Sequence, residues 1–242
     1  SLAGSMLKKT VLELGGSDPY VILEDADLDQ AVNACITGRM LNTGQSCIAA
    51  KRFIVVEPCR PEFTDKLAKK IKNMNMGDPL DLTIDIGPMV NISARDELHQ
   101  QVITSLDKGA VLVTGGIIPE SPGSFYPPTL LVDVAPGMPA FDDELFGPVA
   151  VIITAKDEQQ ALELANQTKF GLGAAVFTTD FQKGIKIATE ILEAGCCFVN
   201  DFVKSDPRLP FGGIKESGYG RELSEFGIHE FGNINTGSLD IQ

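Results

Sequence analysis

The stretch VAVIITAKDEQQALELANQTKFGLGAAVFTTDFQKGIKIATEILEAGCCFV, residues 149–199, decides the fold class. It opens with a continuous apolar run, Val149–Thr154, with the length and β-branched character of a buried strand. A helical pattern follows from Glu158 to Gln167. Then come a strand at Ala174–Phe177, a helix from Phe181 to Glu193 and a strand at Phe198–Val199. Apolar strands alternating with helices imply right-handed crossovers and a mainly parallel sheet covered on both faces.

The upstream sequence extends the same alternation. Thr10–Leu14 reads as a strand leading into a Gly-Gly turn, and Leu28–Met40 as a helix with Asp25 or Asp27 at its cap. Phe53–Val56 is a compact strand, and Phe63, Leu67 and Ile71 mark an amphipathic helix. Ser93-Ala94-Arg95-Asp96 has the pattern of a capping box opening a helix to about Lys108. Val111–Thr114 reads as a strand, and residues 117–128, rich in Pro, Gly and Ser, as a loop. The expected class is α/β, a mainly parallel open sheet with helices on both faces. From about Ile234 the periodicity fades, and residues 234–242 are expected to form a tail, with a strand pairing outside this domain as one reading.

Bulk properties narrow the function. The 242 residues suffice for one large domain or two small ones, and 43% apolar content supports a sizeable core. The net charge of −13 argues against nucleic acid and anionic membrane surfaces as partners. No apolar run approaches the roughly 18 residues that span a bilayer, and Ser1–Lys9 lacks a signal-peptide core. The five cysteines, at 35, 47, 59, 196 and 197, are odd in number and form no CxxC pair, which points to a reducing cytoplasm. His99 and His229 are isolated, so no metal site is expected.

Chemistry concentrates in Asn42-Thr43-Gly44-Gln45-Ser46-Cys47. A glycine-broken turn with small polar groups leaves backbone N–H groups free and the sulfur accessible, which suits a covalent nucleophile. A free thiol ionises near about 8.5, so activation needs a helix start or a nearby positive group. If Cys47 begins a helix, the amides there would favour the thiolate and help hold an oxyanion. Glu13, at a strand end before Gly15 and Gly16, can reach into a cleft whose glycines let the backbone approach a ligand closely. Taken alone, Cys47 reads as an ordinary loop cysteine and Glu13 as a solvated charge.

Read in order, Glu13-Leu14-Gly15-Gly16, the Asn42–Cys47 segment, Glu144-Leu145-Phe146-Gly147-Pro148, Pro210-Phe211-Gly212-Gly213 and Lys215–Glu222 resemble the aldehyde dehydrogenase superfamily, from about Leu7 to about Asn235. Leu12–Pro19, Met76-Gly77-Asp78-Pro79 and Tyr126-Pro127-Pro128-Thr129 look most like the bacterial succinate-semialdehyde dehydrogenases. The resemblance implies NAD(P)-dependent aldehyde oxidation through a cysteine thiohemiacetal and thioester. Cys47 would be the nucleophile and Glu13 the base that activates water. It makes Glu144 a ligand of the nicotinamide ribose, with Phe146 packing beside the nicotinamide and Gly15 lining the cofactor site. Phe211 would face the substrate. Asn42, Gly44 and Gly212 shape the motif turns, and Asn200 is expected to hold the Pro210 loop.

A semialdehyde acid needs a cation or hydroxyl donors for its far carboxylate. Some members place an arginine directly before the Asn-Thr-Gly-Gln turn; Leu41 stands there, so Ser205 and Arg208 are offered as substitutes, with Arg39 if its helix turns it inward. No GxGxxG or GxxxxGK[ST] is present. NAD or NADP is therefore expected to be bound mainly by a missing N-terminal domain, with residues 1–9 its remnant or a cloning remnant and 10–233 the catalytic domain. An isolated fragment is then expected to be inactive. The resemblance also implies a homodimer or homotetramer. Two other readings remain: an acylating relative that passes the thioester to coenzyme A, and a non-catalytic assembly module. Glu13 argues against the first, because a hydrolytic base would waste the acyl group, and the paired motifs argue against the second.

Overall fold

The computed structural model describes residues 1–240. Its strands are β1 (Leu12–Glu13), β2 (Asp18–Ile22), β3 (Ala50–Val56), β4 (Val111–Thr114), β5 (Thr129–Val132), β6 (Val149–Ala155), β7 (Gly173–Phe177), β8 (Cys196–Val199) and β9 (Gly218–Tyr219). Its helices are α1 (Leu2–Ser5), α2 (Leu28–Met40), α3 (Arg60–Lys72), α4 (Ile92–Asp107), α5 (Pro139–Asp142), α6 (Glu158–Asn166), α7 (Phe181–Lys186) and α8 (Ser224–Glu230). Seven strands form one sheet in the order β4-β5-β6-β3-β2-β7-β8, parallel throughout except for antiparallel β4 at the edge. β1 and β9 pair antiparallel in a separate ribbon.

Local rules account for most elements. Asp27 caps α2, its carboxylate accepting from the amides of Asp29 and Gln30. Phe63, Leu67 and Ile71 are buried from α3. The central strands β2, β3 and β7 are buried at every residue, as strands covered on both faces must be.

Several expectations need correction. The cap of α4 is Asn91, which accepts from the Ala94 amide, so the helix begins before the Ser93 pattern. The helix expected to Glu193 ends as α7 at Lys186 and runs on as a π-type turn, Ile187–Ile191. The strand expected at Thr10–Leu14 shortens to β1 and leaves the main sheet. The central strand β2 and the strand β5 carry no sequence expectation. β5 follows Pro127-Pro128 and β2 opens with Gly-Gly-Ser-Asp-Pro across its start, segments that read as loop; Pro19 sits where β2 shifts register, a place proline tolerates. Of the tail expected at 234–242, residues 234–240 form no regular structure, and 241 and 242 lie outside the described residues.

The polarity of the sheet positions the chemistry. Gly15 and Gly16 enter β2, Cys47 precedes β3 and Glu144–Pro148 enters β6, so these motifs gather at the N-terminal ends of the parallel strands. The opposite edge carries a cavity of about 480 Å³ bordered by Asp25, Val56, Asp157 and Lys183.

Candidate active site

The Asn42–Cys47 turn is held open by unusual backbone. Asn42, Thr43 and Gly44 all have positive φ, at 53°, 58° and 71°. For a β-branched residue such as Thr43 this conformation is a true outlier and marks a segment over-determined by its surroundings. The Asn42 amide donates to the Gln45 carbonyl at 2.9 Å, and Gln45 accepts the Val90 amide at 2.9 Å. A Cβ on Gly44 would lie 2.4 Å from the Gly147 carbonyl, so glycine is required by space as well as by φ.

Three charged residues assemble the site, of which the sequence patterns single out neither Lys51 nor Asp18. Arg39 turns inward, but it is fully buried. Its Nη2 donates to the carbonyls of Gly44 at 2.9 Å and Leu145 at 3.0 Å and also contacts that of Gly147. It therefore rivets the cysteine turn to the Glu144–Pro148 segment and has no reach to a substrate carboxylate. Burial pushes its guanidinium down to about 9. Lys51, in β3 and 2% exposed, donates to the carbonyls of Ser46, Cys47 and Ala49 at 3.0, 3.0 and 3.2 Å and pairs with Glu144 at 3.4 Å. Burial, then the Arg39 charge, lower it to about 8, while Asp18 and Glu144 hold it up. Asp18, at the start of β2, is buried and accepts the Gly173 amide at 3.0 Å; burial lifts it to about 6.

Cys47 lies half-buried in the turn before β3, not at a helix start. Burial raises its thiol above the usual value. Lys51 and the Ile48 amide pull it down, and Asp18 and Glu144 push it up. The positive group acting on the thiol is therefore the Lys51 ammonium, and no helix begins there.

Gly15 and Gly16 fit tightly around this arrangement. A Cβ on Gly15 would stand 2.4 Å from a Glu144 carboxylate oxygen, and one on Gly16 would stand 2.4 Å from the Cys47 carbonyl. The Gly16 amide donates to Glu144 at 3.1 Å. Glu144 thus bridges the two glycines and Lys51, while the Phe146 ring is 43% exposed.

Glu13 shares this backbone, but its carboxylate rests in a different neighbourhood. It lies against the Gly212-Gly213 turn, where a Gly212 Cβ would come within 3.0 Å of it. Both oxygens are buried without a hydrogen-bond partner. Burial and Glu222 raise its pKa, and Arg221 and the Gly213 amide oppose them. The Gly15-Gly16 turn that follows Glu13 packs against the Cys47 carbonyl, and the charges acting on the thiol are Lys51, Asp18 and Glu144.

The remaining candidates divide. Phe211 is buried, forms a bridge with Glu222 and borders a cavity of about 340 Å³ with Cys196, Ser205 and Leu209. Ser205 also borders a second cavity of about 160 Å³, beside Leu41, Ser46 and Ile48 on either side of the cysteine. Lys204 borders both, paired with Asp201 at 2.6 Å. Arg208 borders neither; its guanidinium is 85% exposed and forks onto Asp206. Asn200 does not hold the Pro210 loop. Its amide exchanges hydrogen bonds with the backbone of Thr178, pinning the end of β7. Among the described residues no group of three His, Cys, Asp or Glu is placed to hold a metal ion, and no helix is long and apolar enough to cross a membrane.

The sequence matches the profile of the aldehyde dehydrogenase family over residues 1–236. It is 52% identical over 234 residues to a protein of Escherichia coli (strain K12) named succinate semialdehyde dehydrogenase (NAD(P)+), covering 97% of this chain and 50% of that protein. It is 49% identical to a probable NADP+ succinate-semialdehyde dehydrogenase of Synechocystis, covering 98% and 52%. Among solved structures, succinic semialdehyde dehydrogenase from Streptococcus pyogenes in complex with NADP+ superposes with a TM-score of 0.91 at 41% identity, covering 95% of this chain and 50% of that one. The chain spans about half the length of the curated relatives it matches.

Proposed function

Because this chain belongs to the aldehyde dehydrogenase family, we propose that it forms the catalytic part of an NAD(P)-dependent enzyme oxidising succinate semialdehyde to the acid. The observation that carries this reading is the convergence of Cys47, the Gly15-Gly16 turn, Glu144 and Lys51 at one edge of the sheet. The names of the relatives support the substrate and the nicotinamide cofactor.

Cys47 Sγ, as thiolate, adds to the aldehyde carbon and gives a tetrahedral thiohemiacetal. The nicotinamide, when bound, supplies the two-electron acceptor for the hydride, which leaves a thioester on Cys47. Glu13, its proton affinity raised by burial, takes a proton from water. The hydroxide then attacks the thioester carbon, releasing the carboxylic acid and restoring the thiolate. The residues present fit the nicotinamide end of the cofactor. Glu144 already accepts one amide and one ammonium and retains lone pairs for ribose hydroxyls, and Phe146 offers an exposed ring beside it. On this reading the phosphates of the cofactor are held by a part of the full-length protein outside this chain, and the chain alone is then inactive as a dehydrogenase. Ser205 is the member of the predicted carboxylate-binding set that borders the cavities around the cysteine. A cytoplasmic homodimer or homotetramer fits the family and the five free thiols.

The test is a panel of aldehydes with both cofactors on the full-length enzyme. Cys47→Ala abolishes turnover, and Glu13→Gln accumulates a thioester detectable as added mass on the Cys47 peptide. Normal steady-state turnover in Glu13→Gln would remove that residue from the mechanism.

A further inference from the structure

We infer that Lys51 is a positioning residue for the nucleophile: its ammonium fixes the backbone of the cysteine turn, holds the Glu144 carboxylate beside it, and places a positive charge next to the thiol. This rests on the reading of Cys47 as nucleophile.

The argument begins with cost. Burying an ammonium is expensive unless its donors are satisfied and its charge is matched. The neighbouring residue shows what a purely structural cation in β3 looks like. Arg52, on the opposite face of the strand, spends its fork on the carbonyls of Ser17, Leu164 and Ala165, tying β3 to the end of α6. Lys51 binds instead to carbonyls of its own turn, those of Ser46, Cys47 and Ala49, so that the peptide carrying the nucleophile is anchored on both sides. Among the described residues it forms an ion pair with Glu144, which also accepts the Gly16 amide. The charged groups facing Lys51 are Arg39 from α2, Asp18 from β2 and Glu144 from the segment before β6. Two anions and a second cation leave the local charge close to balanced. In this setting one ammonium separates a thiol burdened by Asp18 and Glu144 from one that can ionise.

The test uses the chain itself and does not depend on turnover. Iodoacetamide alkylation is followed across pH by mass spectrometry of the Cys47 peptide, with the other four cysteines as internal controls. In Lys51→Met the midpoint for Cys47 moves up by about one pH unit, the low end for losing an adjacent full charge, and alkylation near neutral pH slows about tenfold. Lys51→Gln, which still donates to the same carbonyls, moves it in the same direction and is the variant read if the methionine form does not fold. Lys51→Arg restores the midpoint. An unchanged midpoint in a folded Met or Gln variant overturns the inference, as does an equal shift at all five cysteines, which would report loosened structure. Failure of the underlying reading shows separately, as turnover that survives Cys47→Ala in the full-length enzyme.

Discussion

Asp18 offers a test of the buried charge cluster that can be worked to a number. The carboxylate is 1% exposed; one oxygen accepts the Gly173 amide and the other has no partner. Burial raises its pKa from 3.8 to about 6, with Lys51, the Gly173 amide and Arg52 opposing. Between these values the folded chain keeps a proton that the unfolded chain has released. Stability from this group is therefore greatest below 3.8, falls as pH rises through the window and levels off above about 6. The difference of 6 − 3.8 = 2.2 units corresponds to about 3 kcal/mol. Asp18→Asn keeps an acceptor for the Gly173 amide and cannot ionise, so the penalty vanishes. The amide also differs from the carboxyl in the hydrogen bonds it can make, which shifts the level by the same amount at every pH in the window. The expectation therefore concerns the change rather than the level: the stability of Asp18→Asn relative to wild type improves by about 3 kcal/mol between about pH 4 and about pH 7. That corresponds to about 6–12 °C in thermal midpoint for a chain of this size. Urea unfolding followed by circular dichroism at both pH values measures it, and the difference cancels groups common to both proteins. An equal gap at the two pH values would refute the assignment of Asp18 as a strained buried carboxylate.

Two further outcomes follow from geometry. Gly44→Ala forces a side chain into left-handed backbone and toward the Gly147 carbonyl, which costs about 2–4 kcal/mol; a thermal midpoint within a degree of wild type would show that the turn relaxes freely. Arg208→Ala leaves both stability and the KM for succinate semialdehyde in the full-length enzyme unchanged, because the guanidinium is exposed and engaged with Asp206. A KM raised tenfold or more would return Arg208 to carboxylate recognition.

The depth at which each feature was legible follows from its physics. The strands β3, β4, β6 and β7 and the helices α2, α3 and α6 announce themselves because burial on one or both faces imposes local periodicity. The strand β2 does not, although it lies near the middle of the sheet: Gly-Gly-Ser-Asp-Pro precedes its apolar core, and those residues signal a turn on their own. The candidate-site motifs are recognisable through their ordered resemblance to the aldehyde dehydrogenases, and their glycines mark where backbones approach one another. What those glycines approach was hidden, since Gly44 meets Gly147 across more than a hundred residues.

The edge of the sheet was equally hidden. Open parallel sheets commonly bind ligands beyond the C-terminal ends of their strands, and the largest cavity described does lie there. The chemical groups instead gather at the N-terminal ends, in the segments that lead into β2, β3 and β6. Residue order alone points to a wound α/β fold, a cysteine behind a glycine-broken turn and a glutamate beside two glycines, because propensity, periodicity and glycine placement act over a few positions. Only the folded chain makes Lys51 and Arg39 interior residues. Nothing local singles out Lys51, and Arg39 reads as a carboxylate ligand if its helix turns it inward; their places are decided by distant carbonyls and carboxylates that close around them, and that closure is a sum over contacts no local window contains.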